Sequence, residues 1–194
     1  MPRLALCLLV VALAGCERRP DHLAPEDDLA DASWALLDQD SAAVSFPGDF
    51  AGQPTVVSAV YTHCPDVCLM TMATQRRVRA ALGPDAARVH FVTLTFDPAR
   101  DTPSALARYA ASWETGPGWR LLTGDSAEVA GLMQRIGVRT EVSRRDTLAA
   151  GSATYTLDHS DVALLLDADG AVVETYGGSA AIPEMVAEDA RALL

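Results

Sequence analysis

The chain has 194 residues, which is enough for one folded domain preceded by a short leader. Hydrophobic residues make up 49% of it and charged residues 21%, and this composition excludes a wholly disordered chain. The formal net charge is −11, so we expect no binding to nucleic acid, whose phosphates attract basic proteins.

The first residues have the pattern of an export signal. Arg3 is followed by an apolar run, 4–13, that is too short to span a bilayer. The run ends in LAGC, which resembles the bacterial lipobox, whose cysteine is lipidated and becomes the mature N-terminus. The sequence therefore predicts a lipoprotein signal peptide over residues 1–15 and a lipidated Cys16 that opens an acidic tether, 16–31. We expect an exported protein, anchored to a membrane and facing the periplasm or another extracytoplasmic space; the alternative is a plain signal peptide with an incidental cysteine.

The folded domain is predicted over residues 32–194, and its first half alternates strands and helices. Two short strands flank a turn at Asp40-Ser41. The run TVVSAVY, 55–61, is typical of a strand that is covered on both faces. Residues 67–82 have a helical composition that ends at a Gly-Pro pair, and VHFVTLTF predicts the next strand.

The alternation continues through the second half. Thr102 as N-cap and Pro103 as the first helical residue predict a helix, WRLLTG predicts a strand, and Asp125 caps a further helix that ends at Gly137. Residues 139–157 are polar and lack periodicity, so we interpret them as an insertion or a long loop. VALLLD and AVVETYG predict a β-hairpin, and IPEMVAEDARALL predicts a final helix. This order of elements indicates an α/β domain.

Two cysteines remain in the folded domain once Cys7 and Cys16 are assigned to the signal peptide and the lipid. Cys64 follows a strand, at the sheet edge where α/β domains bind ligands, and precedes a helix whose first N–H groups stabilise a thiolate. In a regular helix, Cys64 and Cys68 would share one face about 6 Å apart, which permits a disulfide or a shared metal ion. Two thiolates favour Cu(I) and leave room for a third ligand. The pair alone leaves a structural disulfide and a reactive or metal-binding site open.

Four histidines could supply that third ligand. His22 falls in the predicted tether, and His90 opens a strand. His63 is next to Cys64 on an extended segment, where neighbouring side chains point in opposite directions. His159 stands just before a strand, in YTLDHSDVALLLD. The residues alone do not select His159, because a histidine in such a place is more often a loop or core residue than a ligand.

Three segments in order, YTHCPDVC, TFDPARDTP and LDHSDVALLLDADG, resemble the Sco/SenC family of thioredoxin-like copper-binding proteins. The resemblance extends from about Trp34 to the C-terminus. It implies a thioredoxin-like fold with an N-terminal hairpin and an insertion before the last β-hairpin. It also implies copper, as Cu(I), Cu(II) or both, bound by Cys64, Cys68 and His159. Family members assemble the dinuclear copper centre of cytochrome c oxidase, so its copper-receiving subunit or another copper chaperone is the expected partner.

The sequence departs from the family pattern at two places. Leu69 follows the second cysteine, where the family often has proline, and a lipid anchor replaces the transmembrane helix of many relatives.

The TFDPARDTP segment should place Asp97 and Asp101 at the rim near the cysteines. We expect these two carboxylates to support the metal ligands or to contact a partner, with helix capping and loop solvation as the alternative.

An enzyme is the main alternative to a metallochaperone, namely a thiol–disulfide oxidoreductase with the two cysteines as its redox-active pair. Thioredoxin-like oxidoreductases resemble one another in placing a proline opposite those cysteines. Here residues 158–160 read DHS at that place, and the nearest prolines are Pro117 and Pro183, which favours copper binding. A structural disulfide or a zinc domain is the third alternative, although a Cys₂His set leaves zinc an open coordination position.

Overall fold

The computed structural model describes residues 19–147 and 153–194 as one eight-stranded sheet, a separate two-stranded ribbon and four α-helices. Short 3₁₀ turns occupy Asp21–Leu23, Leu29–Asp31, Gly48–Phe50 and Gly83–Arg88. The strands are β1 (Asp27–Asp28), β2 (Trp34–Asp38), β3 (Ala43–Phe46), β4 (Thr55–Val60), β5 (His90–Thr95), β6 (Trp119–Gly124), β7 (Thr140–Thr147), β8 (Ala153–His159), β9 (Val162–Leu166) and β10 (Ala171–Gly177). The helices are α1 (Val67–Leu82), α2 (Pro103–Trp113), α3 (Ser126–Arg135) and α4 (Pro183–Arg191).

The large sheet has the strand order β1-β10-β9-β4-β5-β6-β2-β3. Its centre is parallel, because β5 pairs in parallel with both β4 and β6, whereas β9 and β2 join this centre in antiparallel orientation. Every residue of β4 is buried, as its continuous apolar run predicts. Helix α1 packs against α4 and β4, while α2 and α3 pack against β2 and β6. The mixed α/β architecture predicted from the sequence is confirmed.

One edge of this sheet gathers segments that are distant in sequence. The carboxyl ends of β4 and β5 lie side by side, since Val60 pairs with Thr95. Strand β9 runs antiparallel to β4 with Ser58 opposite Ala163, so the start of β9 lies at the same edge. Residues that follow β4 and residues that precede β9 therefore meet there.

The helix boundaries follow the capping signals in the sequence. The Thr102 side chain accepts a hydrogen bond from the N–H of Ala105 at 3.4 Å, and that of Asp125 accepts one from Ala127 at 2.8 Å. Both side chains satisfy N–H groups that have no partner within the helix. Helix α1 has the predicted bounds, and Gly83 ends it at a positive φ of 58°. The predicted helices and the final hairpin are therefore confirmed.

Residues 139–157 were predicted as an insertion or a long loop: the insertion before the last hairpin is confirmed, but strands form it and the prediction of a loop is wrong. Strands β7 and β8 form an antiparallel ribbon in which Thr140 pairs with His159, with an irregularity between Val142 and Arg144. Strand periodicity arises when one face of a strand is buried, and the described side chains of β7 are exposed. A ribbon without a buried apolar face leaves no alternating pattern in the sequence. Residues 148–152 lie outside the described residues.

The predicted tether also differs from the structure. Its described part, from residue 19, packs on the domain, with Leu23 and Leu29 fully buried and Arg19 paired with Asp167 at 2.7 Å. These two leucines are too few to produce a periodic pattern, but each removes apolar surface from water. The predicted signal peptide and Cys16 lie outside the described residues. Within residues 19–147 and 153–194, the structure has no helix both long and apolar enough to cross a bilayer.

Candidate metal centre

The two cysteines of the domain lie between the carboxyl end of β4 and the first turn of α1. The helix begins at Val67, so Cys68 is helical and Cys64 belongs to the preceding loop. The backbone N–H of Cys68 points at the sulfur of Cys64 at 3.4 Å. This N–H is one of the donors left free at a helix start, and it favours electron density on the Cys64 sulfur. Both cysteines are buried and neither forms a disulfide.

The imidazole of His159, the last residue of β8, faces the same sulfurs. Its Nε2 lies 3.5 Å from the Sγ of Cys68, and its Nδ1 lies 3.0 Å from the carbonyl oxygen of Ser160. A carbonyl oxygen only accepts hydrogen bonds, so Nδ1 carries the hydrogen and the neutral ring presents its lone pair at Nε2. The ring packs against Phe96 and Tyr61, with centroids 4.6 Å and 6.0 Å away. The imidazole is therefore oriented as a ligand.

The two sulfurs and the imidazole nitrogen form a cluster of ligand atoms within 4.8 Å of one another. Atoms that bind one ion at about 2.0–2.3 Å lie at most about 4.6 Å apart, so a small inward shift makes the set coordinating. Burial, followed by the hydrogen bond with Cys64, raises the pKa of the Cys68 thiol. A thiol must lose its proton to bind a metal, so metal binding at this cluster releases protons.

The carboxylate of Asp101 holds the segment that leads to the first cysteine. It is fully buried and accepts two hydrogen bonds from Thr62, one from the N–H at 3.0 Å and one from the side-chain hydroxyl at 2.5 Å. The hydroxyl of Thr95 donates to the same carboxylate at 2.5 Å. Asp101 neither caps α2 nor faces solvent, so it supports the loop before Cys64 and offers no surface to a partner.

The carboxylate of Asp97 is buried as well and is directed towards β8. It pairs with Nε of Arg100 at 2.5 Å and accepts the hydroxyl hydrogen of Tyr155 at 2.6 Å. Burial, followed by this hydrogen bond, raises the pKa of Tyr155, so its hydroxyl stays protonated as a donor. Asp97 thus supports the strand that carries His159.

Two of the residues that organise this site were not singled out from the sequence. Asp161 accepts hydrogen bonds from Thr71 of α1 at 3.1 Å and from the N–H of Ser179 at 2.8 Å, which ties the start of β9 to the helix of Cys68. Arg100 also donates to the carbonyl oxygen of Tyr155 at 2.8 Å. Both Asp161 and Arg100 lie inside the motifs that carry the family resemblance, and this location is the sequence signal that could have identified them.

The other histidines lie outside the cluster. His63 is exposed and bonds the hydroxyl of Thr62 at 3.1 Å. His22 bonds Asp189 at 2.9 Å, and His90 packs edge-on against Phe50. None of these three belongs to the cluster of ligand atoms within the described part of the chain.

The fold and the site together define a class of protein, an α/β domain with a Cys₂His cluster at the carboxyl edge of its sheet. Comparison with known proteins identifies the family. The SCO1/SenC family profile matches residues 24–194, and the chain belongs to this family. The resemblance stated from the three motifs is confirmed.

Solved structures of the family have the same fold. The copper-bound structure of ScoI from Bradyrhizobium japonicum is 32% identical and superposes with a TM-score of 0.71, over 84% of this chain and 98% of that one. Yeast Sco1 is 22% identical with a TM-score of 0.68, which supports the fold alone. The prediction of a thioredoxin-like fold is confirmed.

Curated relatives include mitochondrial proteins. The mouse SCO2 homolog is 32% identical over 140 residues, which is 71% of this chain and 52% of the relative. The human SCO2 homolog is 32% identical over 137 residues, which is 68% of this chain and 48% of the relative. The chain spans about half the length of these curated relatives.

Proposed function

We propose that this chain is a copper chaperone that binds one copper ion through Cys64, Cys68 and His159. The convergence of two sulfurs and one correctly oriented imidazole nitrogen carries the proposal. Thiolates are soft ligands that suit Cu(I), and imidazole suits Cu(II) as well, so this set can hold both oxidation states. The copper in the structure of ScoI, a relative 32% identical, supports the choice of metal.

Zinc fits the same atoms less well. Structural zinc sites have four protein ligands, whereas catalytic sites keep three and use the open position for a water molecule. Here three ligands lie in a cluster that has two buried cysteines. Cu(I) is satisfied by few soft ligands, which favours copper for this donor set.

The proposed task is to supply copper to the dinuclear site of cytochrome c oxidase, or to prepare that site by reducing its cysteines. Membership of the SCO1/SenC family supports this role. The proposed partners are the copper-receiving subunit of the oxidase or another copper chaperone.

We further propose export and lipid anchoring at Cys16, on the basis of the LAGC sequence after a short apolar run. Mass spectrometry of the protein from membranes, with Cys16→Ser as the comparison, tests the anchor.

Anaerobic titration of the reduced chain with Cu(I), Cu(II) and Zn²⁺ tests the copper assignment. We expect one copper per chain and a thiolate-to-Cu(II) charge-transfer band. Cys64→Ser and Cys68→Ser should each abolish tight binding, because either leaves a single soft ligand. His159→Ala should weaken Cu(II) more than Cu(I), and His63→Ala, adjacent to the site but outside the cluster, is the control. Tight zinc binding with no charge-transfer band would refute the proposal.

Thiol–disulfide exchange is the second candidate activity, and the free state of the two adjacent cysteines favours it. The Cys64 thiolate would attack a partner disulfide, forming a mixed disulfide and releasing one partner thiolate. Cys68 would then attack the Cys64 sulfur, releasing the second partner thiolate and leaving an oxidised Cys64–Cys68 pair. The N–H of Cys68 that points at the Cys64 sulfur, together with the raised pKa of Cys68, supports Cys64 as the first attacking thiol.

A trapping experiment tests this second candidate. Cys68→Ser should accumulate a mixed disulfide through Cys64, whereas Cys64→Ser should trap little. Insulin reduction measured beside a thioredoxin, with and without bound copper, compares the two activities. Turnover equal to that of thioredoxin and unaffected by copper would favour the enzyme over the chaperone.

A further inference from the structure

The strand that carries His159 has no backbone ladder to the main sheet. Strands β7 and β8 pair only with each other among the described residues, so the short link from His159 to β9 and side-chain contacts fix their position. The loop between β5 and α2 (residues 96–102) provides such contacts to both sides of the candidate site. Asp101 reaches the segment before Cys64, and Arg100 reaches β8.

Arg100 makes three kinds of contact at this junction. Its Nε pairs with Asp97 at 2.5 Å, and its Nη1 donates to the carbonyl oxygen of Tyr155 at 2.8 Å. Its guanidinium carbon stacks 3.6 Å from the centre of the Tyr155 ring and lies 5.5 Å from that of Tyr61. The hydroxyl of Tyr155 completes the arrangement by donating to Asp97. A planar guanidinium can form both hydrogen bonds and stack on a ring at the same time.

The contact with Tyr61 connects this arrangement to the imidazole. The hydroxyl of Tyr61 accepts a hydrogen bond from the N–H of Leu157 at 3.2 Å, and its ring packs edge-on against that of His159. Leu157 and Tyr155 both lie on β8, within four residues of His159. The guanidinium therefore contacts β8 directly at Tyr155. It also lies beside the ring of Tyr61, whose hydroxyl contacts β8 at Leu157.

We propose that Arg100 is a positioning residue that holds β8 against the β5–α2 loop and thereby keeps the imidazole of His159 within bonding distance of the cysteine sulfurs. This inference rests on the proposed function and extends it to the preference for an oxidation state. Both thiols belong to one continuous segment around the start of α1, so they remain together without Arg100. The imidazole lies on a separate segment, and its position depends on the link to β9 together with the contacts of Arg100. Cu(II) depends on the imidazole more than Cu(I) does.

The test uses Arg100→Ala in the 194-residue chain, with Arg100→Lys and Tyr155→Phe as milder variants. Arg108→Ala, at an exposed arginine of α2, controls for the loss of one positive charge near the site. Removing a group that orients a metal ligand costs about 10-fold to 100-fold in affinity, and we expect this loss for Cu(II) in Arg100→Ala. Cu(I) affinity should change by less than about 3-fold, because both thiolates remain. Lysine has a single ammonium group in place of the planar guanidinium. The Cu(II) affinity of Arg100→Lys should therefore fall between those of Arg100→Ala and the native chain.

A double-mutant cycle distinguishes positioning from general destabilisation. If Arg100 acts through the imidazole, Arg100→Ala adds nothing to the Cu(II) loss of His159→Ala. Arg100→Ala should also shift the charge-transfer band towards that of His159→Ala, whereas Arg108→Ala leaves it in place. Additive losses in the cycle, or equal losses for Cu(I) and Cu(II), overturn the inference while leaving the copper site intact. A native chain that binds no copper overturns both the inference and the proposed function. If Arg100→Ala does not fold, Arg100→Lys and Tyr155→Phe give the same comparisons.

Discussion

The buried carboxylate of Asp101 allows a prediction whose size follows from its contacts. It accepts three hydrogen bonds, two from Thr62 and one from Thr95, and it is fully buried. A hydrogen bond to a charged group contributes about 1.5–3 kcal/mol, and a donor left buried without a partner costs about 1–3 kcal/mol. The two hydroxyls can rotate towards other acceptors, but the N–H of Thr62 cannot. Asp101→Ala should therefore lower the free energy of unfolding by about 3–5 kcal/mol.

Asp101→Asn is the informative comparison because it keeps the shape of the side chain. Its oxygen can replace the carboxylate oxygen that accepts from the N–H of Thr62 and from Thr95. Its amide nitrogen then faces the hydroxyl of Thr62, which can turn to accept. All three hydrogen bonds lose their charged partner, and this loss is partly offset because a neutral amide costs less to bury than a carboxylate, so the cost should be about 1–2 kcal/mol.

Urea unfolding of the reduced, copper-free chain measures both costs, with Asp40→Ala at an exposed turn position as the control. Copper titration gives a second measure. Asp101 fixes the segment that leads to Cys64, the proposed ligand for both oxidation states, so Asp101→Ala should weaken Cu(I) and Cu(II) alike. Equal costs for the alanine and asparagine variants, or an undiminished Cu(I) affinity in Asp101→Ala, would refute this reasoning.

Three further predictions concern pH, the helix start and the redox state. The hydrogen bond with Asp189 raises the pKa of His22 above 6.5 in the folded chain, so its stabilisation is complete below pH 6.5 and is lost as pH rises through the raised value. Urea unfolding at about pH 5.5 and about pH 8.5 should therefore show that His22→Gln is less stable than the native chain only at the lower pH. Leu69→Pro removes one hydrogen bond, from the N–H of Leu69 to the carbonyl of Asp66 at 2.9 Å, in the first helical turn. It should cost about 1 kcal/mol by urea unfolding and leave copper affinity unchanged, and a larger loss would show that leucine itself is required there. Oxidising the two ligand cysteines to a disulfide should abolish copper uptake until a reductant is added, as measured by copper titration beside a count of free thiols.

The sequence was sufficient for the central sheet and for the position of two of the three proposed ligands. The buried strand β4 is a continuous apolar run, and the helix after it has clear boundaries, so the position of Cys64 and Cys68 at the sheet edge follows from local signals. The two cysteines do not share a helical face as their spacing suggested, because Cys64 precedes the helix that contains Cys68. Local composition does not reveal that the Cys64 sulfur takes the place of a capping side chain.

His159 illustrates why the third ligand required the family resemblance. Its nearest sulfur belongs to a residue 91 positions earlier in the chain. The two meet because β9 is antiparallel to β4, and no local pattern specifies which strands of a sheet become neighbours. The three motifs indicated that His159 lies near the cysteines only because their order matches a family whose fold is known.

The two-stranded ribbon was missed for a related physical reason. A strand is recognised by alternation when one of its faces is buried, whereas the described side chains of β7 are exposed. Polar contacts from Arg100 and Asp97 to Tyr155 and the packing of Leu157 on the core join the ribbon to the domain. Such contacts can be changed one at a time without removing a hydrophobic core. On the proposal made for Arg100, the strand that the sequence pattern did not reveal is also one whose position, and with it the proposed third ligand, depends in part on single side chains.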